Sequence, residues 1–214
     1  MKDLIIIGAS GFGREVAWLT ERINEKKPTW KLLGFLDDNL ELVGQEINGY
    51  RVLGTIKEIT NMKDIYCVCA VGASRTREKI ISNICNLNND VKFATLIDPS
   101  VVKSDLVNIG EGSIICAHTI ITVNVDIGKH NIINLDCTVG HQSLLGDFVT
   151  LYPSVNVSGN ARLEKGVEIG TGTQIIQSKS IGEYTIVGAG AVVINDLPSK
   201  CIAFGVPARP QKYL

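Results

Sequence analysis

The chain carries no run of basic residues, and 21 Lys+Arg against 22 Asp+Glu leave a net charge of −1 at pH 7. A nucleic acid or an anionic membrane as principal partner would need a basic face, so both are disfavoured. No apolar stretch reaches the roughly 18 residues that a bilayer-spanning helix needs. Leu4-Ile5-Ile6-Ile7 is too short for a signal-peptide core and runs straight into a glycine loop. The expected location is therefore the cytoplasm. Six cysteines (Cys67, Cys69, Cys85, Cys116, Cys137, Cys201) are scattered over apolar segments, which in that compartment reads as reduced thiols packed inside. Cys67 and Cys69 stand two apart on a strand-like run and point the same way, but a metal would need two more ligands nearby. No metal is expected. Histidine is scarce: His118, His130 and His141 are the whole supply.

What is present is 45% hydrophobic and 20% charged, the make-up of a soluble globular protein, with 214 residues for one large or two modest domains. The strongest pattern is a period of six. Ile109, Ile115, Ile121, Ile127, Ile133, Val139, Leu145, Leu151, Val157, Leu163, Ile169, Ile175, Ile181, Val187 and Val193 form an unbroken aliphatic series. At a one-in-three aliphatic frequency, chance gives such a run roughly once in ten million trials. Four residues after the aliphatic stands mostly a small or β-branched side chain, a second track that Asn131 and Lys179 interrupt. Six matches neither the helical 3.6 nor the two of a flat strand. It matches a chain that turns a corner every six residues, one short strand per repeat, stacked into a solenoid. A β-sandwich is the lesser alternative, since its strands alternate by two and its turns keep no fixed count.

Residues 1–96 read differently, as strands alternating with helices. Leu4–Ile7, Lys31–Leu36, Ile65–Val71 and Val91–Ile97 are strand-like, and Gly13–Asn24 and Arg75–Leu87 carry apolar residues at helical spacing. This predicts a small parallel sheet of the dinucleotide-binding type. The period-six track takes over after Asp98-Pro99 and lapses at Asn195–Ser199 before a short tail. The expected division is 1–96 and 97–214.

The ordered set Gly8-Ala9-Ser10-Gly11-Phe12-Gly13-Arg14-Glu15-Val16, Gly34-Phe35-Leu36-Asp37-Asp38, Ala70-Val71-Gly72, Val139-Gly140-His141, Val157-Ser158-Gly159-Asn160 and Gly205-Val206-Pro207-Ala208 carries a resemblance. It resembles the hexapeptide-repeat sugar acetyltransferases, which include sialic-acid O-acetyltransferases and nucleotide-amino-sugar N-acetyltransferases. The resemblance implies an α/β Rossmann-like domain followed by an all-β left-handed parallel β-helix, three repeats to a coil. It also implies a homotrimer with acetyl-CoA in the groove between neighbouring β-helices.

His141 matches the family's catalytic base, and an imidazole suits proton abstraction near neutral pH. It stands two residues past an inward aliphatic, so it should face outward, with Gly159 one coil away offering a backbone N–H to the thioester oxygen. Family members commonly place an acid directly after this histidine. Here the residue is Gln142, which can orient the ring but brings no charge to the imidazolium, leaving Asp136 or Asp147 to help. Asn134 matches a position near the acceptor, though asparagine also suits a corner. By the same resemblance Thr150, Gly159, Thr171 and Ala189 line acetyl-CoA, and Arg209 lies near its tail. Ser10, Gly11, Phe12, Asp37, Asp38 and Gly72 would hold the sugar or nucleotide-sugar acceptor, with the glycine loop cradling phosphate. Many nucleotide-sugar members carry histidine where Phe12 stands.

Other readings stay open. The loop with Asp37 or Asp38 would also suit NAD, but no Tyr-x-x-x-Lys constellation follows it. Three histidines on such a solenoid resemble the hexapeptide zinc carbonic anhydrases, whose close histidine pair is missing; His118 and His130 are expected to face outward. A non-catalytic scaffold is the third.

Overall fold

The computed structural model describes residues 1–214. The N-terminal unit holds β1 (Lys2–Ile7), α1 (Gly11–Lys26), β2 (Trp30–Leu36), β3 (Glu46–Ile47), β4 (Tyr50–Gly54), β5 (Tyr66–Cys69), α2 (Ser74–Leu87) and β6 (Lys92–Phe93), in the sheet order β3-β4-β2-β1-β5-β6. β1 runs between β2 and β5, parallel to both, and Leu4 to Ile7 are fully buried. Burial on both faces is why this strand reads as a continuous apolar run rather than an alternation. The stretch between the second and third expected strands shows no period in the sequence. It folds as the antiparallel β3–β4 hairpin and a 3₁₀ helix at Ile56–Asn61.

From Leu96 the chain winds into a three-walled solenoid. The first wall starts at Leu96–Ile97, the second at Val102–Lys103 and the third at Asn108–Ile109, and strands stack in parallel on their counterparts one coil later. Ile115 pairs with Ile133, Val139 with Val157 and Leu145 with Leu163. The aliphatic series fills the shaft; only Ile109, near its open end, is partly exposed. Each corner from Gly112 to Gly190 carries a residue at positive φ, among them His118, His130, Gln142, Phe148 and Tyr184. That left-handed residue turns the chain after every short strand. No helix is long and apolar enough to cross a membrane.

Three expectations need correction. Val91–Ile97 is not one strand: β6 pairs with β5, while Leu96–Ile97 pairs with Ile114–Ile115 in the solenoid, so the chain changes sheets within one apolar run. Asn131 does not interrupt the inner track. It is fully buried, its amide donating to Gly146 O (3.0 Å) and accepting from Val149 N (2.6 Å). At the far end Leu197 bridges to Ile181 and Ala203 pairs with Val187, which closes a shortened last coil.

The N-terminal unit sits on the first wall. Leu96, Ile114 and Ile132 point out of that wall and join Leu4, Ile6, Val68 and Ala70 in one apolar core. Arg22 of α1 grips Asp98 with two hydrogen bonds, at 2.6 and 3.1 Å.

Candidate active site

His141 follows the second-wall strand Thr138–Val139 and stands exposed on the corner that leads to the third wall. Its ring lies against Gly159 of the next coil. A Cβ built on Gly159 would come within 2.5 Å of both Cε1 and Nε2, so only glycine fits beneath the imidazole. Asn160 N–H donates to His141 O at 2.7 Å, fixing the two corners together, while the Gly159 N–H has no acceptor within the chain. Gln142, at φ 59°, bends its side chain back so that Oε1 meets His141 Nδ1 at 3.2 Å. With the amide in this orientation its oxygen accepts, which puts the proton on Nδ1 and leaves the Nε2 lone pair free. The arrangement pairs a proton acceptor with an unpaired backbone donor, the two groups that thioester aminolysis needs.

The two carboxylates considered as help are engaged elsewhere. Asp147 accepts from Lys129 N–H at 2.7 Å, and Asp136 accepts from the Ser154 hydroxyl at 3.4 Å. Asn134 is the corner residue of the alternative reading: its Oδ1 accepts from Leu135 N–H at 2.7 Å and its carbonyl from the Thr119 hydroxyl at 3.1 Å. That fixes a turn and leaves the amide nearly buried.

Thr171 and Ala189 lie exposed on the corner between the first and second walls, each flanked by glycines. A Cβ on Gly170 would meet Ala189 N at 2.5 Å, so the backbone there is tightly stacked and bare. Thr150 departs from its expected role. It is fully buried on the outer side of the first wall, its hydroxyl donating to Gly72 O at 2.8 Å and accepting from Arg77 at 2.9 Å. The N-terminal unit covers this wall, which closes it to a cofactor. Arg209 is exposed at the start of the last strand.

His130 is also misjudged by sequence. It is 5% exposed, its ring stacked on Phe148 (centroids 5.1 Å, 16°) and met edge-on by Phe93 of β6, with Nδ1 unpartnered. Burial pushes this imidazole down to about 4. The three histidines occupy three different corners of the prism, so they do not converge within one chain.

The expected acceptor loop is built by Gly8, at φ 98°, and by Gly13, where any side chain would strike the Gly8 carbonyl. Asp37 ties the loop down, its carboxylate accepting from Ala9 N–H (2.8 Å) and Asn39 N–H (2.9 Å). Asp38 accepts from Ile56 N–H at 3.0 Å and so caps the 3₁₀ helix. Both aspartates line a cleft of about 130 Å³ with Gly8, Leu36, Ile56, Val71 and Ile80. Ser10 and Gly11 are exposed at the start of α1, where no side chain caps the helix. The Phe12 ring packs toward the apolar core, and the bare Cα of Gly72 faces Tyr152 Oη.

The cleft lies in the unit that covers the first wall. His141 lies on the opposite edge of the prism, where the second and third walls meet. Within one chain the two are far sides of the same column.

The sequence reading did not single out Arg77. It shares a helix face with Ile81 and Ile84, is 1% exposed, and donates hydrogen bonds to both units. A charged residue on the apolar face of a predicted helix was the available signal.

Residues 3–84 match the family described as the PglD N-terminal domain. The chain is 32% identical to a GDP-perosamine N-acetyltransferase of Escherichia coli O157:H7, over 97% of this chain and 95% of the relative. The acetyltransferase domain of PglB from Neisseria gonorrhoeae, solved in complex with acetyl coenzyme A, has a TM-score of 0.88 at 32% identity, covering 98% of this chain and 99% of that one. PerB from Caulobacter crescentus, solved with CoA and GDP-perosamine, has a TM-score of 0.90 at 27% identity over 99% and 98% of the two chains.

Proposed function

The chain belongs to the hexapeptide-repeat sugar acetyltransferases, and from that premise we propose that it moves the acetyl group of acetyl-CoA onto the amine of a nucleotide-linked amino sugar. The observation that carries this reading is the His141 imidazole lying over Gly159, with Nε2 free and an unpaired N–H below. The acceptor amine attacks the thioester carbonyl and forms the C–N bond, and the tetrahedral adduct then collapses with cleavage of the C–S bond. His141 Nε2 takes the amine proton and delivers it to the departing thiolate of coenzyme A. Gly159 N–H receives the oxyanion as the carbonyl turns tetrahedral. Gln142 holds the ring in the tautomer that leaves Nε2 basic.

Acetyl-CoA would run along the bare glycine corners, Gly159 on one edge and Thr171 and Ala189 on the next. The acceptor would enter the cleft of the N-terminal unit, its diphosphate at the uncapped start of α1. That cleft and His141 lie on opposite sides of one prism, so a neighbouring copy must supply the imidazole. A closed homotrimer provides such a seam three times by symmetry. The exposed second-wall residues Val102 (63%) and Ile120 (43%), with Val123 (42%) on the His141 edge, supply apolar surface for it. We assign the enzyme to the cytoplasm and to surface-glycan synthesis.

The test is thiol release from acetyl-CoA with a panel of nucleotide amino sugars and free sialic acid, the product identified by mass spectrometry. An amide on a nucleotide sugar is expected. Acetyl transfer only to sialic-acid hydroxyls would replace this reading with O-acetylation.

A further inference from the structure

Arg77 is the most heavily bonded side chain in the protein, and the reaction above gives it no part. Its guanidinium is 1% exposed and forms no ion pair. Every hydrogen bond goes to a neutral oxygen. Nε donates to His130 O (2.9 Å), and Nη2 donates to Phe148 O (2.8 Å), Val149 O (3.3 Å) and Thr150 Oγ1 (2.9 Å), all on the β-helix. Nη1 donates to Val71 O (2.7 Å) and Gly72 O (2.8 Å), in the loop between β5 and α2.

Those last two bonds have a consequence for the opposite side of the loop. In a planar trans peptide the C=O and N–H point in opposite directions. With the carbonyls of Val71 and Gly72 drawn toward the guanidinium, the N–H groups of Gly72 and Ala73 face away from it, and neither has an acceptor in the chain. The next N–H, that of Ser74, is taken by Glu168 Oε1 at 2.8 Å, so the start of α2 already carries a carboxylate and the consecutive free pair lies just before it. Val71, beside this pair, lines the cleft with Gly8, Asp37 and Asp38. Two consecutive backbone donors over a buried cation form a receptor for an anionic oxygen, and the nearby Glu168 carboxylate is taken up by the Ser74 N–H and hydroxyl.

We propose that Arg77 is a positioning residue that turns the Gly72 and Ala73 N–H groups into an oxyanion-receiving pair for the acceptor's phosphate. It acts through the loop and touches no substrate. The inference rests on the reading of this cleft as the nucleotide-sugar site. It assigns the recognition to a nucleoside diphosphate rather than to a neutral sugar. Burial lowers the guanidinium only to about 10, so the charge is present throughout the neutral range.

The experiment is calorimetric titration of UDP, GDP and dTDP into the full-length wild type, Arg77→Lys and Thr150→Val, alongside steady-state KM for both substrates. Lysine keeps the charge but cannot hold both carbonyls, so binding of the preferred nucleotide and the acceptor KM should weaken about tenfold or more, with the acetyl-CoA KM within about twofold. Thr150→Val removes one bond to Gly72 O and should give a smaller shift of the same kind. A folded Arg77→Lys that binds the nucleotide as wild type does, or that loses kcat and both KM values together, overturns the proposal. Should Arg77→Lys fail to fold, Thr150→Val and a wild-type crystal soaked with the nucleotide decide: the inference is overturned if no phosphate oxygen lies near Gly72 N or Ala73 N. Wild type that binds none of the three nucleotides overturns the acceptor reading itself.

Discussion

Gln142 stands where related sequences commonly place an acid, and it supplies His141 with orientation but no charge. Restoring a carboxylate tests what that charge contributes. Gln142→Glu should raise kcat about threefold to tenfold and move the acid limb of the pH–rate profile to higher pH, since an opposite charge favours the imidazolium. Gly159→Ala tests the other side of the ring. Its Cβ would stand 2.5 Å from Nε2, so the imidazole must swing away, and kcat should drop about 100-fold with the circular dichroism spectrum unchanged. His130 answers to pH through stability instead. Its native imidazole titrates at about 4, below the 6.5 of an unfolded histidine. Between those values the unfolded chain binds a proton that the native ring refuses, so stability falls as pH drops from 6.5 toward 4. The loss is about 3 kcal/mol in full. Urea midpoints at pH 7 and pH 5 measure it, and His130→Phe should flatten the difference. Phe148 shows that such a corner accepts a phenyl group at positive φ.

Among the elements, the solenoid was the legible part, because one side chain per six residues faces one shaft and nothing competes for it. Leu163, fully buried there, should cost about 3 kcal/mol on replacement by Ala, read as a lower urea midpoint. The β3–β4 hairpin was illegible, since two- and five-residue strands at a sheet edge leave too few positions to show a period. Val91–Ile97 misled for the opposite reason: both sheets it joins want apolar residues. That His141 stacks beside Gly159 one coil later could be read from spacing along one column, whereas the roles given to His141 and Gln142 come from the family resemblance. Thr150, Asn131 and His130 could not be read from spacing. Their surroundings come from α2, β6 and neighbouring coils, contacts remote in sequence, and an outward position on a repeat does not reveal which wall another unit covers.

The sheet and the first wall share a core, with the Arg22–Asp98 pair and Arg77 across the seam. The cleft beside Asp37 and Asp38 and the His141 imidazole of one chain lie on far sides of the column, and the proposed trimer would bring a cleft and a neighbour's imidazole together. Subunit complementation follows. Gly11→Trp, whose Cβ meets nothing within 4 Å, should fit the fold and cover the start of α1 where the acceptor's diphosphate is proposed to sit, while His141→Ala removes the base. Each variant alone should be inactive, yet co-expressed at equal levels they should regain about a quarter of wild-type activity, the chance that an intact cleft meets an intact imidazole. Catalysis within single chains would give none.

The most direct measurement is the turnover of His141→Ala with acetyl-CoA and the preferred acceptor. The proton-transfer role predicts a kcat lower by about 100-fold or more with both KM values little changed. A kcat within a few-fold of wild type would mean that the imidazole over Gly159 is not where the chemistry happens.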